Sequence, residues 1–476
     1  MNPLLHRLIP LILLVMTLSA CDGGGTNGAE AEKIAATAAL PAAVEPEARA
    51  VVDEVANQRV WVPGWREGPS LSIPRSGAAV IEINGIIHVI GGVDGKNFLR
   101  TTESAKVQLD GSLSQWQPGP SLNVERGFFA AVRHNDHVYV AGGGRGPYGK
   151  ILLDTVERAE IKPDGSLGEW VLEKNIMNIE RRCSRLVVLG NHIFALGGFG
   201  GILLDTVESA EIQPDGSIGE WYVSMDTMGV ARYIHTLREI GDRVYVIGGH
   251  DQEKGAGIIN VEWSEEDEPG FFKPWQSAPS LQTGRYGLDS VRQGDFVYAL
   301  GGLSGAAYLD SVEKAPIRED GSIGPWQYTT PMSSRREGMN TLTVNNHIYL
   351  IGGTNVKGFK RIVEYATFDE QGDIGYWATP QQAQAAKAAL AKRQQQQRVL
   401  PNEARVIQHI KAAGYSYLAV ERSDGLQAWL AAPVMEIESG TRVRFPNGVV
   451  MTNFFSKELK RNFPAIMFVG EVQVLP

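Results

Sequence analysis

The stretch His137-Val138-Tyr139-Val140-Ala141-Gly142-Gly143 decides the fold, because versions of it stand at six places along the chain. Each version is a short apolar run that ends in two glycines, and the pairs begin at Gly91, Gly142, Gly197, Gly248, Gly301 and Gly352. The steps between them are 51 to 55 residues. A period of this length is typical of propeller arrays and not of helical solenoids.

A tight turn precedes every glycine pair. The turn lies six and seven residues before the first glycine, as in Asn84-Gly85 and Gly241-Asp242, and such residues tolerate a positive φ. Runs rich in Val, Ile and Tyr flank these turns, which is the composition of strands. Each repeat therefore begins with a hairpin of two strands, a and b.

Charged residues recur in step with the glycines. An arginine stands sixteen residues before each first glycine, at Arg75, Arg126, Arg181, Arg232, Arg285 and Arg336. A glutamate follows each first glycine by 11 to 15 residues, at Glu103, Glu157, Glu208, Glu262, Glu313 and Glu364. An unpaired buried charge is too costly to repeat six times, so we interpret both sets as structural charge pairs within or between repeats. The alternative is a ring of arginines that binds anions at the mouth of a channel.

A tryptophan follows each glutamate at a constant 13 residues, and a glycine turn lies five residues before it. These features predict strands c and d, hence four strands per repeat. The pattern resembles the kelch repeat, although the usual Tyr ahead of the Trp is replaced by a Val-Glu or Thr-Glu element. The resemblance implies a six-bladed β-propeller over residues 59–379. A seventh tryptophan, Trp65, predicts a surplus d-type strand, and either this strand or the one that ends at Trp377 completes the last blade.

The variable loops of a repeat protein fall on one face, which is often the binding face. Here the variation lies between strands b and c, and strand a starts on the same side. Polar and aromatic residues in these places are the binding candidates, and the alternative is ordinary solvated loops. The candidates are Asp94, Lys96, Arg145, Tyr148, Tyr233, His235, His250, Asp251, Tyr286 and Lys357.

The N-terminus predicts the cellular location of the protein. Residues 1–20 combine a basic start with an apolar run, and Leu18-Ser19-Ala20-Cys21 resembles the lipobox of bacterial lipoproteins. The resemblance implies cleavage before Cys21 and lipid attachment to it; the alternatives are an ordinary signal peptide or a retained anchor. Residues 21–58 then form a tether. The other cysteine, Cys183, is interpreted as a small buried residue and not as a reactive thiol.

The pattern changes after the last repeat. Residues 380–401, rich in Gln and Ala, predict a helical or disordered linker, and residues 402–476 predict a compact unit. In that unit we expect a short helix over 404–413 and then five strands. Segments such as Trp429-Leu430-Ala431-Ala432-Pro433 and Met451-Thr452-Asn453-Phe454 resemble a small OB-like domain of exported bacterial proteins, which implies a five-stranded barrel. The expected fold class is therefore all-β, a six-bladed propeller followed by a small barrel.

The functional prediction rests on a complete scaffold without a legible reaction centre. The net charge of −9 gives no support to nucleic-acid binding. No metal-ligand spacing, nucleotide loop or catalytic constellation stands out, so we expect no metal, no cofactor and no catalytic residue. We predict a binding or scaffold protein tethered to the bacterial envelope and facing the periplasm, with a protein or glycan partner. The alternatives are a mutarotase-like sugar enzyme and an assembly factor for exported redox proteins; the leaflet and the oligomeric state stay open.

Overall fold

The computed structural model describes residues 59–251, 257–305, 307–398, 402–412, 415–422, 425–446, 448–470 and 472–475. The predicted signal peptide, the lipidation site Cys21 and the tether lie outside these residues. Among the described residues, no helix combines the length and the apolar character that a membrane span requires.

Six antiparallel sheets follow one another along residues 60–378 and form a six-bladed propeller, as predicted. Each blade pairs its strands in the order a, b, c, d. Blades 1 and 2 consist of Ala79–Ile83, Ile86–Ile90, Thr102–Lys106 and Gln117–Gly119, then Ala130–His134, His137–Ala141, Val156–Ile161 and Leu167–Leu172. Blades 3 and 4 consist of Arg185–Leu189, His192–Phe199, Leu203–Ile212 and Ile218–Val223, then Thr236–Ile240, Arg243–Ile247, Val261–Glu268, Phe271–Phe272 and Gln276–Ala278. Blade 5 consists of Asp289–Gln293, Phe296–Leu300, Val312–Pro316 and Gln327–Thr329.

Blade 6 is closed by the N-terminal segment. Its inner strands are Asn340–Val344, His347–Ile351 and Val363–Phe368, and the short strand Arg66–Glu67 pairs beside Glu364 and Tyr365. The indole of Trp65 donates to the carbonyl of Pro331 at 3.0 Å, as Trp326 does to Pro279 in blade 5. Trp65 thus takes the position of a d-strand tryptophan, and the N-terminal strand, not the strand that ends at Trp377, completes the last blade.

The strand that carries Trp377 leaves the ring. Ile374–Ala378 pairs with strand c only through Thr367 and Phe368 and then pairs along its length with Val60–Pro63. The Trp377 side chain is half exposed and its ring lies 5.2 Å from that of Trp61. Both chain ends of the propeller therefore contribute to one six-stranded sheet.

The glycine pairs are needed where neighbouring blades interlock. Gly142 has φ +67, and a Cβ there would stand 2.5 Å from the carbonyl oxygen of Arg181 in the next blade. Gly143 donates its N–H to that same oxygen at 2.8 Å. Only a residue without a side chain permits this approach at a positive φ, and the arrangement recurs around the ring.

A second contact joins each blade to the next at the outer turns. The hydroxyl of Tyr139 in strand b donates to the carbonyl of Gly216 at 2.8 Å, and Tyr245, Tyr298 and Tyr349 make the same bond. His88 and Ser209 occupy the two remaining junctions. Six hydrophobic clusters lie between adjacent blades, so the core is divided into six interfaces.

In the described part of the propeller, three b–c loops carry small hairpins of their own. These are Gly144–Arg145 with Ile151–Leu152, Leu303–Ser304 with Ala307–Tyr308, and Thr354–Asn355 with Gly358–Phe359. A single 3₁₀ turn, Pro147–Gly149, caps the first of them.

After the propeller a helix runs over Pro380–Arg398. Thr379 and Gln382 exchange side-chain and backbone hydrogen bonds at its start, in the manner of a capping box. Pro380 occupies the first helical position, where its missing N–H costs nothing. Of the two alternatives for this linker, the structure has the helix.

The C-terminal residues form a seven-stranded mixed sheet, not the five strands expected. In spatial order the strands are Val449–Ser456, Arg461–Phe468, Gln427–Pro433, Tyr415–Arg422, Asn402–Ala412, Arg442–Phe445 and Gln473–Val474, and the second and third are parallel. The expected helix over 404–413 is wrong, because Asn402–Ala412 is a strand. A β-bulge between Val406 and Gln408 interrupts its alternation, so the apolar Val406, Ile407 and Ile410 fall at a helix-like spacing.

Candidate functional site

The end of the channel on the loop side is built from the residues that follow the six repeated arginines. The second residue after each arginine has a φ between +55° and +63°; these residues are Gly77, Phe128, Cys183, Ile234, Gly287 and Gly338. Each donates its backbone N–H to the carbonyl of its counterpart in the preceding blade, at 2.6 to 3.3 Å. The six hydrogen bonds close into a ring around the channel, which fixes the backbone at its mouth.

The ring is uneven in its side chains. Blades 2, 3 and 4 contribute Phe128, Cys183 and Ile234, whereas blades 5, 6 and 1 contribute glycines. At Gly287, where φ is +63, a Cβ would stand 2.5 Å from the carboxylate of Glu337, so a side chain there would displace that carboxylate. The half of the mouth without side chains leaves room for a pocket.

A cavity of about 330 Å³ opens at this mouth. Tyr233 and Tyr286 line it, and the ring of His250 lies between them, at 5.6 Å and 4.7 Å from their centroids. The hydroxyl of Tyr286 donates to the carbonyl of Gly305. Aromatic faces with a few fixed polar groups are the usual lining of a ligand pocket.

Arg182 holds one side of the cavity. Its guanidinium lies over the ring of Phe199 at 5.2 Å and donates to the carbonyls of Tyr148 at 3.2 Å and Gly149 at 3.0 Å. Its Nε has no acceptor among the described residues. Arg182 therefore lines the pocket and carries a buried N–H donor without an acceptor in the described part of the chain.

Glu337 lines another part of the cavity. Burial raises the pKa of its carboxyl to about 7, because the described residues place no hydrogen-bond donor or cation close enough to oppose the loss of water. Cys183 also lines the pocket, and burial raises the pKa of its thiol to about 12. Near neutral pH the site thus presents a guanidinium, a carboxyl that exchanges its proton and an inert thiol.

Three of the predicted candidates meet at this pocket as lining residues, Tyr148, Tyr233 and Tyr286, and His250 packs between the last two. His235 is wholly buried and is not one of the lining residues. A Cβ on Gly197 would touch its ring, which places it between blades 3 and 4. Its pKa lies well below the ordinary value, because of burial and the charges of Arg232 and Arg185.

The remaining candidates lie in the loops around the mouth. Asp94 accepts from the backbone N–H groups of Lys96 and Asn97 and thereby shapes its own loop. The Lys96 side chain is exposed. Arg145 lies 3.6 Å from Glu125 in an exposed ion pair.

Two further candidates flank the mouth. The backbone N–H of Lys357 donates to Asn355, and the Lys357 side chain is exposed. Asp251 follows His250, and its charge opposes the lowering of the Arg232 pKa by burial. Neither Lys357 nor Asp251 is a lining residue of the pocket.

The repeated arginines and glutamates meet in pairs, one within each blade. Arg126 lies 2.8 Å from Glu157, and both side chains are fully buried. Arg126 also donates to the carbonyls of Gly142 and Thr155. The other pairs are Arg75–Glu103, Arg181–Glu208, Arg232–Glu262, Arg285–Glu313 and Arg336–Glu364. Each guanidinium thus ties strand c to the glycine turn of its own blade and is buried away from the channel mouth.

The binding candidates predicted from the sequence did not include Arg182 and Glu337. Both stand immediately after a repeated arginine, in a column that reads Ser76, Gly127, Arg182, Tyr233, Tyr286 and Glu337. Two members of this column, Tyr233 and Tyr286, were predicted as binding candidates. Because the residue at this position differs between repeats, the same argument also indicates Arg182 and Glu337. Among the described residues, no group of three or more His, Cys, Asp or Glu could hold a metal ion.

Comparison with known proteins supports the repeat assignment, although no family model matches the chain. Kelch-like protein 23 of Pongo abelii is 25% identical over 189 residues, 39% of this chain and 31% of that protein. Alpha-scruin of Limulus polyphemus is 28% identical over 163 residues, 31% of this chain and 16% of that protein. Kelch repeat protein M-T8 of Myxoma virus is 25% identical over 206 residues, 43% of this chain and 37% of that protein.

The chain therefore spans well under half the length of these relatives. Among solved structures, that of YjhT matches with a TM-score of 0.51 at 14% identity, over 64% of this chain and 98% of the other. At that identity the match concerns the fold alone. The repeats are kelch repeats, and the fold they build is a six-bladed propeller.

Proposed function

We propose that this kelch-repeat propeller is a binding protein that receives a protruding segment of a partner protein at its loop face. One observation carries the proposal. The backbone ring at the mouth is uniform in all six blades, whereas the side chains upon it differ and enclose a pocket with aromatic walls. Side chains that differ around one rim favour one ligand over another, because selectivity is a difference between the affinities for the two.

The loops around the pocket favour a macromolecular partner. They expose large apolar side chains, with Tyr148 at 90%, Ile202 at 71% and Val356 at 85% of their full accessibility. Aromatic and aliphatic side chains around a pocket are typical of protein interfaces, in which an anchor residue fills a cavity while a rim excludes water. A cavity of about 330 Å³ is large enough for one or two side chains of a loop tip.

The location of the protein belongs to the same proposal. The lipobox resemblance at Cys21 supports a lipid-anchored protein on the periplasmic side of the bacterial envelope, with residues 21–58 as its tether. A glycan is the alternative ligand, since aromatic faces also stack on sugar rings. The OB-like resemblance of residues 402–476 suggests a second recognition surface on the same chain.

Photo-crosslinking of the full chain in its own membrane tests the binding proposal. A photoreactive phenylalanine analogue is placed at Tyr148 or Ile202 on the loop face, and at Tyr222 on the outer strand of blade 3 as a matched exposed control. We expect Tyr148 and Ile202 to capture the same protein and Tyr222 not to capture it. Arg182→Ala and Tyr286→Ala should each reduce capture from Tyr148. Equal capture from all three positions would refute the site. Unchanged capture from Tyr148 in both Arg182→Ala and Tyr286→Ala would refute it as well.

A second candidate function is favoured by Glu337. A carboxyl with a pKa of about 7 both gives and takes protons near neutral pH, which suits acid–base catalysis on a sugar of the mutarotase type. Anomer exchange followed by NMR on a panel of free sugars measures this directly. Activity that Glu337→Gln removes and Glu125→Gln, a change in the exposed rim, preserves would support catalysis. Unaltered exchange in Glu337→Gln would exclude Glu337 as the acid–base group.

A further inference from the structure

The channel holds a second cavity deeper than the mouth. It has a volume of about 530 Å³ and lies among the a strands. It shares Phe129, Arg185 and Asn340 with the mouth pocket, so the two are adjoining parts of one channel. The charged residues that line it are Arg133, Arg185, Arg238, Glu239 and Asp289, three cations and two carboxylates.

Two guanidinium groups from neighbouring blades converge on one carboxylate in this cavity. The Nη2 of Arg238 lies 3.6 Å and that of Arg185 4.0 Å from the same oxygen of Asp289. Both distances are too long for a hydrogen bond. Asp289 is already occupied, since it accepts from Thr236 at 3.1 Å and from the backbone and hydroxyl of Thr341 at 2.7 and 3.1 Å.

Hydrogen bonds hold Arg185 and Arg238 in place, and each guanidinium still has N–H donors without an acceptor among the described residues. Arg185 donates through Nε to the carbonyl of His235 at 2.8 Å, and Arg238 donates through Nη1 to the carbonyl of Leu237 at 2.7 Å. Within the described part of the chain these are their hydrogen bonds, although a guanidinium carries five N–H donors. The side chains are 27% and 30% exposed to the channel.

The lining carries three arginines against two acidic residues. Burial is the largest cause of the lowered pKa of Arg238; the Asp289 carboxylate opposes this lowering, and the charge of Arg185 adds to it. Two cations that repel each other, with unused planar donors directed into a cavity, form a ready receptor for an anion between them.

We propose that this cavity binds one oxyanion between Arg185 and Arg238, either a free inorganic ion or the carboxylate of a ligand that enters from the mouth. The site adjoins the mouth pocket and shares Arg185 with it, but it does not require a protein partner. It would remain if no protein partner were found, and the two proposals are tested by different measurements.

Isothermal titration of the full chain with phosphate, sulfate or acetate tests the site, with sodium chloride to hold the ionic strength constant. We expect saturable binding of at least one of these anions with one site per chain. Arg185→Gln and Arg238→Gln should each weaken it by about tenfold or more, since each removes charge-assisted hydrogen bonds. Asp289→Asn should tighten it, because the competing carboxylate loses its charge while the amide still accepts from Thr341.

Arg292→Gln is the matched control, an exposed arginine on strand Asp289–Gln293 that does not line the cavity. Its affinity should equal that of the unmodified chain. Circular dichroism checks that each variant is folded. If one variant does not fold, the change in anion affinity expected for the other, a decrease in Arg185→Gln or an increase in Asp289→Asn, still tests the site. The absence of saturable binding for all three anions would overturn the proposal. Equal affinity in Arg185→Gln, Arg238→Gln and Arg292→Gln would also overturn it.

Discussion

Removal of Glu157 should cost more stability than almost any other single change in blade 2. The Arg126 guanidinium that it neutralises is fully buried and lies 2.8 Å away. Glu157 also accepts from the backbone N–H groups of Asn123 at 2.7 Å and Val124 at 3.2 Å. Glu157→Ala therefore leaves a buried cation and two part-buried backbone donors without their acceptor. A broken buried ion pair costs about 3–5 kcal/mol, so we expect a loss of that size.

The double variant separates the charge from the packing. In Arg126→Met with Glu157→Met no charge stays unpaired. The carbonyl of Gly142 loses its donor, at a cost of about 1–3 kcal/mol, whereas the carbonyl of Thr155 still accepts from the N–H of Gly142. Relative to Glu157→Ala, the double variant thus replaces an unpaired buried cation by one carbonyl without a donor. It should cost no more than Glu157→Ala alone, and much less than the sum of the two single changes.

Urea unfolding followed by tryptophan fluorescence measures these differences, with the slope checked for each variant. Arg145→Met is the control, because Arg145 and Glu125 form an exposed pair at 3.6 Å. Its effect should stay within about 0.5 kcal/mol. A loss below about 1 kcal/mol for Glu157→Ala, or single effects that simply add in the double variant, would refute the view that burial makes this pair a unit.

Three further predictions concern ring closure, pH and the thiol. Trp65→Ala should lower the urea midpoint clearly more than Trp377→Ala, because Trp65 completes blade 6 whereas Trp377 is half exposed; equal shifts would contradict closure by the N-terminal strand. Glu337 has a folded pKa of about 7, above that of an exposed glutamate, so the folded state loses stability as pH rises between about 4.5 and 7. Glu337→Gln should match the unmodified chain at pH 4.5 and exceed it by roughly 2–3 kcal/mol at pH 8; a difference that does not change with pH would refute the burial argument. Cys183, tested in a Cys21→Ser chain, should react with a thiol reagent at pH 8 only after unfolding, because its pKa is about 12; rapid reaction of the folded chain would show an accessible thiolate.

The architecture was accessible to sequence reasoning because each repeat carries its own local instructions. Turn pairs such as Asn84-Gly85 and glycine pairs such as Gly142-Gly143 demand backbone conformations that few other residues adopt, and six copies average out the errors of one. The C-terminal unit has no repeats. There the bulge at Ile407 sufficed to make a strand look helical, because pairing partners far along the chain decided its conformation.

The candidate site was accessible only in part. Tyr148 was predicted from its b–c loop, and Tyr233 and Tyr286 were predicted from their place near the start of strand a; all three line the pocket. Glu337 carries no signal of its own, because its character comes from burial by residues of other blades. His235 looked equivalent to Tyr233, since the two stand two residues apart at the start of one strand, yet one lines the pocket and the other packs between blades.

The sequence by itself determined the number of blades, the strands in each and the face that carries the variable loops. These follow from local backbone preference and from spacing, which are properties of a linear chain. Only the tertiary structure decided that Trp65 closes the ring and that Arg182 and Glu337 share one pocket. It also placed Arg185 and Arg238 against a single carboxylate. Such contacts join residues of different blades, and the distance between them depends on how the ring closes and not on how far apart they stand in the chain.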